Sequence, residues 1–333
     1  MGIATDERNI FNSALTQVET TNKRLLKIYE ESQARVEQQL LKMRAQVLKS
    51  GVVQPFKEAR LVNLLKAINE EIASLRTQSQ NVIASGYIAN YQNTYYLELY
   101  AYEKSINTEL SLGADYLLNA PALNRQAVIA SLNERIGGNA FKDRMLRHQR
   151  EMQFLLRDAV SQNIIEGQTV KELAKNIDLI GEVYGRAINQ STRIARTELL
   201  TAYSIGQEQA TLEAEESGVE FTYKWSATLD SRVRKDHARA DGQKALIVDG
   251  GPVFTVGGVR FSSPRVPLVN DGSKRNAKQV INCRCRRLNI PFGIEPTKRV
   301  AKRKDDTWTE LNGDLTAVEW IRREYGINLT NGI

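Results

Sequence analysis

Cysteine is scarce in this sequence, since Cys283 and Cys285 are the two cysteines among 333 residues. Only one residue separates them, and side chains spaced by two point to opposite faces of an extended backbone. That geometry is poor for a disulfide between them. The sequence therefore excludes a stabilising framework of several disulfides.

Long apolar runs are also missing. No stretch approaches the roughly 18 to 20 uninterrupted apolar residues that a membrane-spanning helix needs. The first residues, 1–11, lack the basic and then apolar pattern of a secretory signal. We therefore expect no membrane span and a protein that is made in a cytosol-like compartment. A length of 333 residues allows about two domains.

The motifs of common catalytic sites are absent. The sequence contains no G-x-S-x-G, no H-E-x-x-H and no glycine loop of the kind that cradles phosphate. The histidine nearest the cysteines along the chain, His237, has no clear orienting partner for nucleophilic catalysis. The forty residues after Gly293 are too few for a typical separate catalytic domain. The sequence predicts that the chain is not an enzyme.

Positive charge is concentrated towards the end of the chain. The net charge is +7, yet residues 256–304 contain thirteen Lys or Arg and two acids, which gives this segment +11. The basic residues are Arg260, Arg265, Lys274, Arg275, Lys278, Arg284, Arg286, Arg287, Lys298, Arg299, Lys302, Arg303 and Lys304. Such a segment is typical of contact with phosphate or with an acidic protein, and a merely solvated surface is the alternative.

The first fifty residues show a heptad pattern. Apolar side chains step by threes and fours at Phe11, Leu15, Val18, Leu25, Tyr29, Val36, Leu40, Met43 and Val47. No Gly or Pro interrupts this run before Gly51, so the pattern predicts one helix over 5–49, near 65 Å long at about 1.5 Å per residue. A helix of this length must pack along other helices, in this chain or in neighbouring copies.

Further helical patterns continue to Glu216, with separate helices predicted over 169–177 and 182–216. After Ser217 and Gly218 the sequence becomes rich in strand-forming runs, and Gly257-Gly258 predicts a tight hairpin turn. The predicted fold class is α+β: a long, mainly α-helical N-terminal region followed by a small α+β module with antiparallel strands. The predicted divisions are 1–135, an elongated helical arm; 136–218, a helical connector; 219–293, the α+β core; and 294–333, a basic tail with a short helix.

Three motifs carry more specific information. They are RIARTELLTAYSIGQ at 193–207, W-x4-D-x-R-x4-H-x3-D-G at 225–242, and INCRC at 281–285. In their order and spacing they resemble the minor head protein family of tailed bacteriophages, the Mu F-like and SPP1 minor capsid protein-like head morphogenesis proteins. Trp225 is then expected to be the large apolar side chain of the module's core, and Asp230 a helix N-cap.

The resemblance also implies a metal site. Many members of the family have a C-x-x-C pair before the distal C-R-C, which suggests four cysteine ligands. In this sequence the first pair is replaced by Arg234 and His237. The remaining candidate ligands are His237, Cys283 and Cys285, with Asp230, Asp236 or Asp241 as oxygen donors. Either a zinc ion is bound here, or hydrogen bonds and ion pairs replace it and the cysteines are small core residues.

The resemblance implies a structural protein of the virion, acting at the portal vertex or in the capsid interior in head assembly and in DNA packaging or delivery. Its expected partners are the portal protein, other capsid proteins and packaged DNA, with oligomers formed through the N-terminal helices. No cofactor other than zinc is implied. The alternative is a nonspecific nucleic-acid-binding protein that acts through the basic segment.

Overall fold

The structure is a computed structural model, and it describes residues 3–49, 58–109, 124–133, 140–165, 170–269, 273–293 and 298–327. The helices of this part of the chain are α1 (Ile3–Lys49), α2 (Glu58–Glu109), α3 (Arg125–Leu132), α4 (Phe141–Ile165), α5 (Val170–Glu216), α6 (Lys235–Ala240), α7 (Lys274–Val280) and α8 (Ala317–Tyr325). The strands are β1 (Phe221–Ser226), β2 (Leu246–Val248), β3 (Gly251–Val256), β4 (Val259–Ser263), β5 (Val266–Pro267), β6 (Arg286–Pro291), β7 (Lys298–Lys302) and β8 (Trp308–Asn312). The predicted α+β class is confirmed.

The long helices agree with the sequence pattern except in α5. The predicted break between residues 177 and 182 is wrong, because α5 is continuous through Gly181. A helical glycine costs about 1 kcal/mol relative to alanine, but its neighbours Ile180, Val183 and Tyr184 are buried in a core and offset that cost. None of the described helices is both long enough and apolar enough to cross a bilayer.

The chain divides into two compact units. Unit 1 contains Met1–Val18, Gly86–Asn139 and Arg196–Ile333, and unit 2 contains Glu19–Ser85 and Ala140–Ala195. Each of the helices α1, α2 and α5 supplies residues to both units.

Unit 2 buries the apolar stripe of α1. Leu25, Tyr29, Val36 and Leu40 are at most 2% exposed, and three of them share one core cluster with side chains of α2, α4 and α5. This part of the predicted seam is therefore covered by helices of the same chain, one of the two arrangements that the pattern allowed, whereas Phe11 and Leu15 are only half-buried. The side chains of the last seam positions, 43 and 47, lie outside the described part of the chain.

Buried polar groups of unit 2 are paired with one another. The hydroxyl of Tyr29 lies 2.5 Å from Ser191 Oγ and 3.1 Å from His148 Nε2, and Ser32 Oγ lies 3.0 Å from the hydroxyl of Tyr184. Burial lowers the pKa of His148 to about 4, so this imidazole is neutral at physiological pH. His148 is a packing residue of the helical core.

Unit 1 contains the β-rich module. Strand β1 pairs with β6, strands β2-β3-β4-β5 form an antiparallel sheet in that order, and β7 pairs with β8. The predicted hairpin turn is confirmed: Val256 pairs with Val259, and Gly257 and Gly258 have φ of +56° and +75°. Trp225, 1% exposed, packs its ring against Phe254 and Phe261 in the module's core.

The residues after β6 belong to the same core. Ala301 of β7 and Ala317, Trp320 and Ile321 of α8 lie in one cluster with Trp225. Helix α8 begins at a capping box formed by Thr316 and Glu319 and ends at Gly326 in the left-handed conformation. The described part of the predicted tail, 298–327, is thus ordered on the body of the protein.

Candidate metal centre

Three side chains converge inside the module. His237 lies on α6, and Cys283 and Cys285 lie in the segment that joins α7 to β6. His237 Nδ1 is 3.2 Å from Cys285 Sγ and 3.5 Å from Cys283 Sγ, and all three residues are buried. The two sulfurs do not point to opposite faces, because residues 283–285 are not in a strand and Asn282 has a left-handed φ of +59°. Both cysteines are free thiols.

A neighbouring amide fixes the tautomer of His237. Gln279 Nε2 donates to Asp236 Oδ2 at 3.0 Å, so the other end of this amide, Oε1, faces His237 Nε2 at 2.8 Å. An amide oxygen only accepts, and His237 Nε2 must therefore carry the proton. The lone pair of Nδ1 is left facing both sulfurs. Sequence reasoning missed Gln279, because its distance from His237 along the chain gives no signal of contact.

Arg265 holds the cysteine segment in place. It lies between β4 and β5 and is 1% exposed. Its Nη1 donates to the carbonyl oxygens of Cys283 and Cys285 at 3.0 and 2.7 Å, and its Nε donates to Leu200 O of α5 at 2.8 Å. Its Nη2 donates to Ser204 Oγ at 2.6 Å. Arg265 therefore joins the INCRC segment to the RIARTELLTAYSIGQ helix.

The two thiols differ in acidity. Burial opposes ionisation of both, but the hydrogen bond from Cys285 and the charge of Arg265 hold the pKa of Cys283 well below its usual value of 9.0. Burial and the neighbouring Cys283 sulfur raise the pKa of Cys285 well above that value.

A cavity of about 310 Å³ opens onto this cluster. His237, Cys283 and Cys285 form part of its wall. Four arginines also line it: Arg196, Arg232, Arg234 and Arg284. The cluster is buried, but one of its sides meets a cavity rich in positive charge.

The other predicted ligands are elsewhere. Asp230 is 3% exposed and accepts from Arg284 Nη2 at 2.8 Å and from the backbone N–H of Arg232 at 3.0 Å. It is not the predicted N-cap, because α6 begins later, after Arg234. The carboxylate of Asp241 accepts hydrogen bonds from both Nη groups of Arg299 at 2.7 Å and from the backbone N–H groups of residues 227 and 317. Among the described residues, the metal-type cluster consists of His237 and the two cysteines.

The residue types and their spacing fit zinc. Sulfur and nitrogen donors at about 2.3 and 2.1 Å from a tetrahedral zinc lie about 3.6 Å apart. The two observed N to S distances, 3.2 and 3.5 Å, are close to this value. The hydrogen bond of Nε2 to Gln279 matches the outer partner that metal-bound histidines usually have. Arg234 is not a ligand and donates to the carbonyl oxygens of residues 279 and 281.

The predicted basic residues do not form one surface. Seven are exposed: Arg260, Lys274, Arg275, Lys278, Lys298, Arg303 and Lys304. Four are half-buried: Arg284, Arg286, Arg299 and Lys302. Arg265 and Arg287 are each 1% exposed, and Arg287 Nε donates to Asn289 Oδ1 at 2.7 Å. These two guanidinium groups are part of the core, which composition alone could not reveal.

A family model covers the segment that contains most of this site. The model described as Phage Mu protein F like protein matches residues 155–288. This matched segment, the Mu F-like region, is less than half of the chain. The Mu F-like region includes the helix of the first motif, the sheet and both cysteines.

Curated relatives agree in part. The chain is 26% identical to minor head protein GP7 of Bacillus phage SPP1 over 166 residues. These residues are 50% of this chain and 49% of GP7. It is 28% identical over 262 residues to NAD(+)--arginine ADP-ribosyltransferase EFV of Enterococcus faecalis, 78% of this chain and 48% of that relative. An uncharacterized protein of Haemophilus influenzae is 29% identical over 182 residues, 54% of this chain and 37% of the relative. The chain spans about half or less of the length of these relatives, and no solved structure matches it.

These findings confirm one prediction and contradict another. The Mu F-like match and GP7 confirm the resemblance to phage minor head proteins and support a phage head protein. The prediction that the chain is not an enzyme is wrong, because a relative that aligns with 78% of the chain at 28% identity is named an arginine ADP-ribosyltransferase. A search for short catalytic motifs could not detect that likeness.

Proposed function

We propose that this chain is a minor head protein that resides in the virion, at the portal vertex or in the capsid interior. Its role there is in head assembly and in the packaging or delivery of DNA. The observation that supports this most is the match to minor head protein GP7, together with the Mu F-like region at 155–288. The proposed partners are the portal protein, other capsid proteins and packaged DNA.

The proposed DNA contact is the exposed face of α7. Three basic side chains of this helix are exposed: Lys274, Arg275 and Lys278. The opposite face is buried, with Asn276 Nδ2 donating to Val269 O at 2.6 Å and Gln279 bound to His237. Positive groups held on a fixed backbone can contact phosphates without reading base sequence.

The proposed protein contacts are on the long helices. Leu26 and Leu41 of α1 are 41% and 44% exposed, and Phe154 of α4 is 69% exposed. We propose that these side chains take part in contacts with the portal protein, with capsid proteins or with a second copy through α1.

Purified particles test the proposal. The full chain would be tagged in the phage or prophage that encodes it, and heads with and without DNA would be cross-linked and analysed by mass spectrometry. We expect the chain in both kinds of head, with cross-links from α1 or α4 to the portal protein that persist at high salt. Absence of the chain from purified heads would refute the proposal.

A salt titration separates this function from nonspecific nucleic-acid binding. The test variant reverses three exposed charges of α7: K274E, R275E and K278E. Its matched control reverses three exposed charges of the same module outside α7: K235E, R239E and K244E. Each phosphate contact contributes a slope of about −0.9 to the dependence of log affinity on log salt. We expect only the α7 variant to bind DNA more weakly, with a salt slope reduced by the contribution of up to about three phosphate contacts. Both variants should stay in heads. Loss of the α7 variant from heads would instead favour charge-driven binding as the main function.

Arginine ADP-ribosylation is the second candidate function, and the name of the Enterococcus faecalis relative is the observation that favours it. The assay incubates the full chain with labelled NAD(+) and a peptide that contains arginine. Transfer of label to the peptide would support this candidate, and absence of transfer under conditions in which a known transferase is active would remove it.

A further inference from the structure

We propose that a groove between α5 and the β2-β3-β4-β5 sheet is a docking site for a segment of another protein that combines apolar side chains with lysine or arginine. The groove has a volume of about 480 Å³, a size typical of ligand-binding clefts. One wall is α5, with Glu208, Leu212 and Glu215, and the other is the sheet and its end, with Val248 and Leu268. Its described lining contains no residue of α1 or α4, on which the other protein contacts are proposed.

The spacing of residues puts the lining side chains on facing surfaces. Glu208, Leu212 and Glu215 follow one another at intervals of four and three residues, so they share one face of α5. On the sheet, Val253 lines the groove and pairs with Leu246 of β2, and directly opposed residues of two antiparallel strands share a face. Leu246 therefore extends the apolar side of the groove, while the other face of the sheet packs into the module's core.

The rim of the groove is apolar and exposed on both sides. Leu212 of the α5 wall is 49% exposed, and Leu246, Val248 and Leu268 of the sheet wall are exposed as well. Apolar side chains that face each other across a cleft leave water when an apolar segment enters it. A cluster of exposed apolar side chains with polar neighbours is typical of a protein interaction site.

The charge of the α5 wall determines which apolar segment fits. Residues 201–223 contain five acids and no Lys or Arg, in a chain whose net charge is +7. Two of these acids, Glu208 and Glu215, line the groove together with Asp249, and the residue after them, Glu216, is exposed. A surface of this sign attracts a basic segment and repels acidic segments and nucleic acid.

The two arginines of the lining do not cancel this negative charge. Arg287 is 1% exposed and donates to Asn289 Oδ1 at 2.7 Å and to Ser262 O at 3.3 Å. It lies 4.0 Å from Glu208, too far for a hydrogen bond, so a cation of the partner can approach that carboxylate directly. Arg260 is exposed and lies on the sheet wall, across the groove from α5. With three acids and two arginines the lining stays negative.

A pair of synthetic peptides tests the groove on the full chain. One peptide alternates leucine and lysine, the other alternates leucine and glutamate, and binding of each is measured by fluorescence anisotropy. We expect the lysine peptide to bind saturably and to bind more weakly as salt is added, because screening weakens its attraction to the carboxylates. The glutamate peptide should bind at least tenfold more weakly.

Two variants and their matched controls locate the bound peptide. Leu212→Ser should weaken binding of the lysine peptide about tenfold, the effect of one leucine side chain that no longer leaves water. Glu208→Gln should weaken it several-fold and reduce its salt dependence. The controls are Leu97→Ser, a leucine of α2 that is 40% exposed, and Glu216→Gln, and neither residue lines the groove. Both controls should keep the affinity of the wild type, and circular dichroism checks that all four variants are folded.

Four results would each overturn the proposal. The first is no binding of the lysine peptide at about 1 mM, a concentration at which even weak contacts are detected. The second is equal affinity for the two peptides. The third is a loss of affinity in the controls as large as in the test variants. The fourth is self-association of the full chain in sedimentation that Leu212→Ser abolishes, since a second copy would then occupy the groove. None of these results bears on the proposed role in phage heads.

Discussion

Glu98 is a buried carboxyl that should make the stability of unit 1 depend on pH. It lies on α2 with 0% exposure, and Gln207 Nε2 of α5 donates to its Oε1 at 2.9 Å. Burial raises its pKa from 4.5 to about 7, against the opposing effects of the hydrogen bonds of Gln207 and Tyr102 and the charges of Arg286 and Arg287. Below neutral pH the native state therefore holds a proton that the unfolded chain releases.

The sign and size of the effect follow from linkage. A group whose folded pKa is raised contributes stability that is complete below the unfolded pKa, 4.5, and is lost as the pH rises through about 7. At 1.36 kcal/mol per unit of pKa, this difference corresponds to about 3 kcal/mol as an upper limit. Glu98→Gln keeps the acceptor and cannot ionise. At about pH 8.5 this variant should be more stable than the wild type by up to about 3 kcal/mol, and at about pH 5 the two should be nearly equal.

Tryptophan fluorescence measures this unit selectively. The three tryptophans of the chain, Trp225, Trp308 and Trp320, all lie in unit 1. Urea unfolding would be followed at both pH values for the wild type, for Glu98→Gln and for Glu216→Gln, which changes an exposed carboxylate of the same unit. A difference between wild type and Glu98→Gln that is the same at both pH values would show that this carboxyl is not the titrating group.

Three further variants test individual contacts. Arg265→Met leaves several buried acceptors unpaired and should cost about 3 to 5 kcal/mol in fluorescence-detected unfolding; a cost under about 1 would contradict its assigned role. Gly206→Ala would add a Cβ 2.7 Å from Tyr91 O and should cost about 1 to 3 kcal/mol, whereas Gly185→Ala, with nothing within 4 Å, should not destabilise. Tyr29→Phe should lower the stability of unit 2 by about 1 to 2 kcal/mol, measured by circular dichroism, and an unchanged value would mean its hydroxyl contributes nothing.

The helices were the most predictable part of the fold, because a buried stripe imposes its period on the sequence. The stripe of α1 was predicted correctly from Val18 to Leu40, but nearer the start of the helix the buried residues are Ile10 and Ala14 and not the predicted Phe11 and Leu15. The pattern did not show which helices cover the stripe, since any partner with an apolar face would satisfy it. The false break in α5 arose at Gly181, where packing around the glycine outweighs its poor local preference for helix.

The candidate site was only partly predictable. Residue types and family spacing were enough to name His237, Cys283 and Cys285, but the assumption of an extended backbone put the sulfurs on opposite faces. The left-handed residue Asn282 precedes a segment without strand structure, and local propensity does not specify such a conformation. Arg265 was counted as surface charge because burial of an arginine depends on acceptors that are distant in sequence.

Asp241 has a practical consequence for anyone who trims this chain. Its carboxylate receives the guanidinium of Arg299 and the first amide of α8, both beyond the end of the Mu F-like region at residue 288. A fragment that ends at residue 288 would bury the Asp241 carboxylate without the guanidinium of Arg299. It would also expose the apolar core residues that Trp320 covers. Expression of the matched segment alone should therefore give an aggregating product, and an autonomous folding piece has to extend at least through Tyr325.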